Sequence, residues 1–243
     1  MRRWITKKAC RRLGLYTERV QTVNNLTDPV DMVRRLDLTC RGVIHVGAHI
    51  GQEFEDYRRD GLESVVYVEP IPEVFEKLKE RVSVDSRFHP IQALCTDRDG
   101  DEVDFHVSSN NGGSSSIFPL GSHAIYYPRV TYVSTLRLRT TTLDSLIFNT
   151  PGLDPTPFDY LVMDVQGAEA KVLKGATRTL RQCRFVFAEV SEGGLYDGDV
   201  PFEGIMALLK EHGFRLKAID LNKLDWGNAF FVKTDPNQPI VRR

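Results

Sequence analysis

A glycine-containing turn, Gly47-Ala48-His49-Ile50-Gly51, follows the first predicted strand of the chain. Glycines at a strand-to-helix turn let a ligand approach the backbone, and the free N–H groups of the helix start attract a carboxylate or a phosphate. The spacing GxxxG differs from the GxGxxG of nicotinamide-binding folds. Taken alone, the segment predicts either a ligand-binding turn or a turn that serves packing only.

An acidic residue, Glu69, ends the second predicted strand 18 residues after Gly51 and is followed by Pro70. A carboxylate at this point of an α/β unit can accept hydrogen bonds from both ribose hydroxyls of an adenosine cofactor. The alternative is a surface acid beside a packing turn. Together, the glycine turn and Glu69 favour a nucleoside-containing cofactor.

Two further carboxylates follow later predicted strands. Asp164 comes after the strand Tyr160–Met163, and Glu189 comes after the strand Phe185–Ala188. Because the carboxyl ends of parallel strands form one edge, both side chains are expected in the ligand-binding crevice of an open α/β sheet. They could hold a Mg²⁺ ion through oxygen ligands, or one of them could act as a base, and the sequence leaves both roles open.

Histidine is the natural base near neutral pH, and His123 is the first candidate for that catalytic role. It lies in an irregular segment, residues 114–129, where a substrate lid is expected. Asp164, Glu189 and Glu192 are the competing bases if no metal binds. The choice among these four side chains stays open at the level of the sequence.

Short apolar runs alternate with amphipathic stretches from residue 43 onward, which predicts strands and helices in turn. The seven predicted strands are Val43–Val46, Val65–Val68, His89–Leu94, Tyr160–Met163, Phe185–Ala188, Phe214–Ile219 and Ala229–Val232. Helices are predicted at Gln52–Asp60, Pro72–Val82, Ala168–Arg181 and Phe202–His212. The alternation is typical of a doubly wound α/β fold with a mostly parallel sheet. The last two strands lie close together along the chain, which predicts an antiparallel C-terminal hairpin.

The regular alternation breaks between the third and fourth of these strands. Glu102–Val107 and Tyr132–Arg139 alternate like strands, while Ser108–Ser116 has the composition of a flexible loop. We therefore expect an insert around residues 108–140 that forms a substrate lid.

A short helix is predicted ahead of the main domain. Asp28 can cap its start, Pro29 suits the first helical position, and the helix is expected to run to about Leu36. We assign it to an N-terminal extension, residues 1–40, and place the main domain at residues 41–243.

The composition of the 243 residues, 41% hydrophobic and 27% charged, is that of a globular protein. No apolar run approaches the roughly 18 residues of a membrane span, and four widely spaced cysteines favour a reducing compartment, so we expect a cytoplasmic protein.

The net charge of −1 combines +6 in residues 1–20 with −7 in the remainder. The acidic body argues against a general nucleic-acid coat. The basic segment is expected to be a solvated or partner-contacting arm, with membrane contact and a transit peptide as alternatives.

Several segments resemble the FkbM family of S-adenosylmethionine-dependent methyltransferases. They are Val43–Gly51 (VIHVGAHIG), Val66–Pro70 (VYVEP), Thr142–Leu146 (TLDSL), Asp164–Glu169 (DVQGAE) and Val172–Ala176 (VLKGA). The last three motifs are the most specific, and the resemblance extends over about residues 42–233. It implies the Rossmann-like class I methyltransferase fold, a seven-stranded sheet with a reversed final hairpin. It also implies methyl transfer to a hydroxyl, commonly on a sugar or on a glycosylated or polyketide metabolite.

The resemblance implies roles for individual residues around S-adenosylmethionine. They are Gly47, Ala48 and Gly51 beside the methionine part, with His49 in the same turn; Glu69 and Pro70 at the ribose; Ala93 and Leu94 at the adenine; Ser115, within Gly113–Ser116, closing over the cofactor; and Asp164 at the methyl-transfer centre. One position departs from the family pattern, because His45 stands where the first strand usually has an acid.

We therefore predict an S-adenosylmethionine-dependent O-methyltransferase that acts on a small-molecule sugar or glycoside. Mg²⁺, held by Asp164 and Glu189, is a further candidate cofactor. No nucleic-acid partner is expected. A homodimer is a candidate, and the oligomeric state stays open. The alternatives are a nucleotide-cofactor oxidoreductase, a non-catalytic adaptor that docks through the basic arm and, more weakly, a nucleic-acid methyltransferase.

Overall fold

The computed structural model describes residues 21–22 and 26–234, so the basic segment at residues 1–20 lies outside the described part of the chain. Within that part the strands are β1 (Gln21–Thr22), β2 (Gly42–Val46), β3 (Ser64–Glu69), β4 (Phe88–Gln92), β5 (Leu94–Thr96), β6 (Glu102–Ser108), β7 (Tyr132–Thr142), β8 (Phe158–Met163), β9 (Phe185–Ser191), β10 (Phe214–Leu221) and β11 (Trp226–Lys233). The helices are α1 (Asp31–Arg35), α2 (Phe54–Arg59), α3 (Pro72–Val82), α4 (His123–Tyr126), α5 (Leu143–Asn149), α6 (Glu169–Lys174), α7 (Thr177–Gln182) and α8 (Phe202–Glu211). None of these described helices combines the length and the apolar composition of a membrane-spanning segment.

One large sheet organises the fold, with its strands in the order β1-β10-β11-β9-β8-β2-β3-β4. Among the described strands of this sheet, only β11 runs against its neighbours, β10 and β9, and the other pairs are parallel. Strands β2, β3 and β8 are buried along their whole length, which explains why their sequences are apolar runs without alternation. The predicted doubly wound class and the reversed C-terminal hairpin are confirmed, and the two-residue β1 extends the sheet at one edge.

Helices cover both faces of this sheet. One apolar cluster joins the first face to α5, α6, α7 and α8, and a second cluster joins the other face to α1, α2 and α3. Leu26, Val30 and Leu38, which precede β2, are buried in the second cluster. The described part of the predicted N-terminal extension therefore packs against the sheet.

The third predicted strand, His89–Leu94, is divided in the structure. Strand β4 pairs with β3 as far as Gln92, which lies opposite Glu69. After Ala93, strand β5 pairs with β7 and enters a second sheet of order β5-β7-β6. An apolar run does not reveal this change of partner, because both halves of the run are compatible with a strand.

The predicted helix Ala168–Arg181 is also divided, into α6 and α7. A Cβ atom at Gly175 would lie 2.2 Å from the Thr96 carbonyl oxygen, so the close approach of β5 requires glycine there. The carboxylate of Asp144 then accepts hydrogen bonds from the backbone N–H groups of Arg178 and Thr179, both at 2.7 Å. Asp144 of the TLDSL motif thus fixes the start of α7.

The predicted insert, residues 108–140, begins at the end of β6 and includes most of β7, which pairs with β6. The short helix α4 follows β6 along the chain. Between them, the Ser108 hydroxyl accepts from the Ser114 N–H at 2.9 Å, and the Ser115 hydroxyl accepts from the Ser108 N–H at 3.0 Å. Ser114 and Ser115 are buried. The serine-rich segment is therefore a compact hydrogen-bonded turn, not the flexible loop that its composition predicted.

Candidate active site

A cavity of about 360 Å³ opens at the carboxyl ends of β2, β3 and β8. The predicted cofactor-binding residues that line it are Gly47, Ala48, His49, Glu69, Pro70, Ala93, Leu94, Ser115 and Asp164. Three predicted site residues, Gly51, His123 and Glu189, are not part of its lining. The fold thus brings distant segments together at the edge where open α/β sheets bind their ligands.

Gly47 allows the end of β2 to lie against the end of β8. Its φ is +79°, and a Cβ atom there would lie 1.9 Å from the carbonyl oxygen of Asp164. The N–H groups of Gly47 and Ala48 donate to the Val68 carbonyl oxygen at 2.9 and 3.0 Å. Only glycine combines this conformation with this contact, so Gly47 sets the shape of the cavity floor.

Glu69 is only 4% exposed, yet it contributes to the cavity wall. Its Oε2 accepts from the His49 N–H at 3.0 Å, and its Oε1 accepts from the Ile71 N–H at 2.9 Å. Each oxygen keeps a further lone pair. Burial raises the pKa of Glu69 to about 7. The side chain is therefore a rigidly held pair of acceptors, suited to two adjacent hydroxyls.

His49 connects the glycine turn to the insert. Its Nε2 donates to the Asn111 carbonyl oxygen at 2.8 Å, and its Nδ1 accepts from the Gln52 amide at 3.1 Å. Since a carbonyl oxygen can only accept, the proton of the neutral ring lies on Nε2. His49 thus holds two walls of the cavity in a fixed relation.

Part of the cavity wall is apolar. Ile71, Leu94 and Phe105 are buried in one cluster, Ile117 packs against it, and Ala93 lies beside them in the lining. A flat apolar ring system can be buried against such a wall with a favourable hydrophobic contribution.

Asp164 and Glu189 are connected through the side chain of Gln166. The Gln166 Nε2 donates to Oδ1 of Asp164 and, at 3.0 Å, to Oε2 of Glu189. The Gln166 Oε1 accepts from the Tyr196 hydroxyl, so the orientation of the amide is determined by its partners. The two carboxylates predicted at neighbouring strand ends therefore share one hydrogen-bond donor, although only Asp164 lines the cavity.

Desolvation raises the pKa of both carboxyl groups, more strongly for the half-buried Glu189 than for Asp164, whose side chain is exposed at the cavity. The charges of Asp164 and Glu169 add to the effect of burial on the pKa of Glu189, which rises well above its ordinary value. At Asp164 the hydrogen bond from Gln166 opposes the effect of burial on the pKa. Of the two, Glu189 therefore holds a proton more readily than Asp164.

This arrangement does not fit the predicted Mg²⁺ site. Among residues 26–234, no group of three or more His, Cys, Asp or Glu side chains could hold a metal ion. The Gln166 amide also donates to both Asp164 and Glu189, and so uses oxygen lone pairs that a cation would need. The magnesium prediction is not supported by the donor set.

Glu169 supports the DVQGAE turn from the first turn of α6. It is 6% exposed, and its Oε1 accepts from the N–H groups of Val165 and Gly167 at 3.2 and 3.3 Å. Burial raises the pKa of Glu169 to about 7, and the charge of Asp164 contributes. The residue thus orders the backbone on which Asp164 and Gln166 stand.

The raised pKa values of Glu69 and Glu169 predict that the ligand-free protein loses stability as the pH rises from 4.5 to about 7. In this range the folded protein binds more protons than the unfolded chain, so the free energy of unfolding falls with rising pH. Glu169→Gln keeps an acceptor oxygen but cannot titrate. Urea unfolding of this variant should show a slope against pH that is shallower by up to about 1.4 kcal/mol per pH unit.

The matched control for this experiment is Glu55→Gln, because the Glu55 side chain is 75% exposed on α2. This variant should keep the wild-type slope. If Glu169→Gln also keeps it, the protonation assigned to Glu169 is wrong.

His123, the first candidate base, is packed away from the cavity. Its ring is 5% exposed and lies against Tyr127 and Tyr196, with centroids 5.0 and 5.5 Å apart. Its Nε2 lies 3.2 Å from the Ser114 hydroxyl, and burial lowers the pKa of the ring. These contacts anchor α4 to Ser114 and to Tyr196, and they do not direct the ring to the cavity.

Gly51 also lies outside the cavity lining. Its φ is +69°, and a Cβ atom there would lie 2.7 Å from the Leu78 side chain of α3. Its carbonyl oxygen accepts from Arg81 Nη1 at 3.0 Å. The two glycines of the GxxxG segment thus differ in use, because Gly47 shapes the cavity and Gly51 lets α3 pack on the turn.

The sequence-based prediction of the site missed Gln166, Tyr196 and Glu53. Gln166 lies inside the DVQGAE motif, and its place in that motif is the sequence feature that could have indicated a role in the site. Tyr196 lies in an irregular segment after β9, where no pattern indicates a contact. Glu53, which follows Gly51 by two positions, lines the cavity.

The strand order, its single reversed strand and the cavity at the carboxyl edge define a Rossmann-like protein of the class I methyltransferase type. Residues 45–216 match the family model described as the methyltransferase FkbM domain. This match covers more than half of the chain, and the chain belongs to the FkbM methyltransferase family.

Individual relatives were also found. The 2-O-methyltransferase NoeI of Sinorhizobium fredii is 32% identical over 147 residues, which cover 58% of this chain and 59% of that protein, less than two thirds of its length. The TehB-like SAM-dependent methyltransferase of Corynebacterium glutamicum aligns with a TM-score of 0.45 and 10% identity, covering 94% of this chain and 96% of that one. The ribosomal protein L11 methylase of Lactobacillus delbrueckii subsp. bulgaricus aligns with a TM-score of 0.44 and 13% identity, covering 84% and 75%.

Proposed function

We propose that this protein transfers the methyl group of S-adenosylmethionine to a hydroxyl of a sugar or a glycosylated small molecule. The observation that carries the proposal is the cavity where the glycine turn, Glu69 and Asp164 meet, in a chain of the FkbM methyltransferase family. The relative named as a 2-O-methyltransferase supports oxygen as the acceptor atom. The sugar acceptor rests on the resemblance to the family.

The cavity residues fit the parts of S-adenosylmethionine. The apolar wall at Ala93, Leu94 and Phe105 suits the adenine ring. Backbone hydrogen bonds hold the Glu69 carboxylate in place, and each of its oxygens keeps a free lone pair that can accept from a ribose hydroxyl. The methionine part and its sulfonium would then lie along the glycine turn, toward the Asp164 carboxylate.

Asp164 is the base in this proposal. When bound, S-adenosylmethionine supplies a methyl group on a positively charged sulfur, and the acceptor oxygen must align with it. Alignment of the reactants can lower the barrier by about 7–11 kcal/mol. Asp164 takes the proton of the acceptor hydroxyl because it lines the cavity and holds a proton less readily than Glu189. Gln166 keeps that carboxylate in position through its hydrogen bond.

Methyl-labelled S-adenosylmethionine tests this function directly. Incubation with a panel of glycosides should move the label to at least one acceptor, with one S-adenosylhomocysteine formed per label transferred. The matched acceptor that lacks the methylated hydroxyl should remain unlabelled. Tight binding of NAD(P) without binding of S-adenosylmethionine would instead support the oxidoreductase alternative.

A further inference from the structure

One acidic side chain of the cavity has no role in the chemistry above. Glu53 immediately precedes α2, lines the cavity and is 25% exposed. Its Oε2 is buried and has no hydrogen-bond partner among the residues that the structure describes. A carboxylate oxygen removed from water without a partner is costly, so the site is incomplete as it stands.

The residues packed next to the Glu53 carboxylate do not neutralise its charge. His45 lies close to the Glu53 side chain, with its Nδ1 3.9 Å from the Glu53 Oε2. Burial lowers the pKa of His45, and its Nδ1 lies 3.1 Å from the Tyr57 hydroxyl, with which it shares a hydrogen bond. Within the described part of the chain, His45 is the only ion-pair partner within 4 Å of Glu53.

The charge of the cavity wall points to the kind of group that completes this site. Glu53, Glu69 and Asp164 line the cavity, and none of its described lining residues is Lys or Arg. Glu69 accepts two backbone hydrogen bonds, and Asp164 accepts one from Gln166, whereas Oε2 of Glu53 accepts none from the described part of the chain. A cationic group of the ligand is therefore the expected partner of Glu53.

We propose that Glu53 binds the α-ammonium group of the methionine part of the cofactor, with His45 and Tyr57 as the supporting wall. The inference rests on the proposed function, in which the adenosine lies against the apolar wall and Glu69. The amino-acid part of the cofactor then lies at the end of the cavity that Glu53 lines. S-Adenosylhomocysteine keeps the ammonium group but lacks the sulfonium charge. Its binding therefore measures the contact of Glu53 with the ammonium group, without a contribution from a sulfonium charge beside Asp164.

Calorimetric titration with two probes tests the subsite without any acceptor. The probes are S-adenosylhomocysteine and its analogue with a hydrogen in place of the α-amino group. Glu53→Gln should weaken binding of S-adenosylhomocysteine by about 10- to 100-fold, as expected for a lost charge-assisted hydrogen bond, and change binding of the analogue by less than about 2-fold. Glu55→Gln, on the exposed surface of α2, should leave both affinities unchanged.

The wild-type protein supplies a second comparison that does not depend on the variant's folding. It should bind S-adenosylhomocysteine about 10- to 100-fold more tightly than the desamino analogue. Equal affinities of the wild type for the two probes, or equal losses for both in Glu53→Gln, would overturn the ammonium subsite and leave the proposed function intact. Failure of the wild type to bind either probe would overturn the proposed function and the subsite with it.

Discussion

Asp164→Asn should lower the rate of methyl transfer by about 10²- to 10⁴-fold, the usual contribution of a positioned base. The asparagine oxygen can still accept the hydrogen bond from Gln166, so the local structure should persist. It cannot accept the proton of an acceptor hydroxyl. Because the change removes a base and not a contact to adenosine, the affinity for S-adenosylhomocysteine should change by only a few fold.

The measurement is single-turnover methyl transfer, combined with calorimetric binding of S-adenosylhomocysteine. Asp104→Asn is a suitable control, since Asp104 is an exposed residue of β6 that pairs with Arg137. This control should retain the wild-type rate. An active Asp164→Asn variant together with an inactive His123→Phe variant would contradict the assignment and return the role of base to His123.

Gly47→Ala should destabilise the protein by about 3–5 kcal/mol, the combined cost of a strained backbone and an overpacked contact. At φ +79° the new Cβ atom would lie 1.9 Å from the Asp164 carbonyl oxygen, and backbone cannot turn away as a flexible side chain can. The ends of β2 and β8 would have to separate. We therefore also expect weaker cofactor binding, because these two ends form the cavity floor.

The variant Gly152→Ala separates the cost of backbone strain from the cost of the overpacked contact. Gly152 has the same φ of +79°, but a Cβ atom there would have no described atom of a non-neighbouring residue within 4 Å. This variant should lose on the order of 1 kcal/mol from backbone strain alone. Urea denaturation of both variants gives the difference, which measures the contact with β8. Equal losses in the two variants would show that the contact at Gly47 relaxes freely.

Much of the fold could be predicted because its signals are local. The buried strands β2, β3 and β8 appear as apolar runs, since both faces of a parallel sheet are covered. Gly47, Glu69 and Asp164 lie at the ends of such runs, so their arrival at one edge of the sheet follows from strand direction alone. The divisions of β4 from β5 and of α6 from α7 could not be predicted, because they depend on pairing and close contact with distant segments.

The sequence by itself determined the class of fold, the family and the group of side chains at the carboxyl edge, since periodicity and strand direction are properties of short segments. Only the tertiary structure decided which of these side chains meet. Gln166 contacts Glu189 across 23 positions of the chain, and His123 packs on Tyr196 instead of entering the cavity. Such contacts depend on strand register and on side-chain direction, and neither is encoded within the few residues around each position.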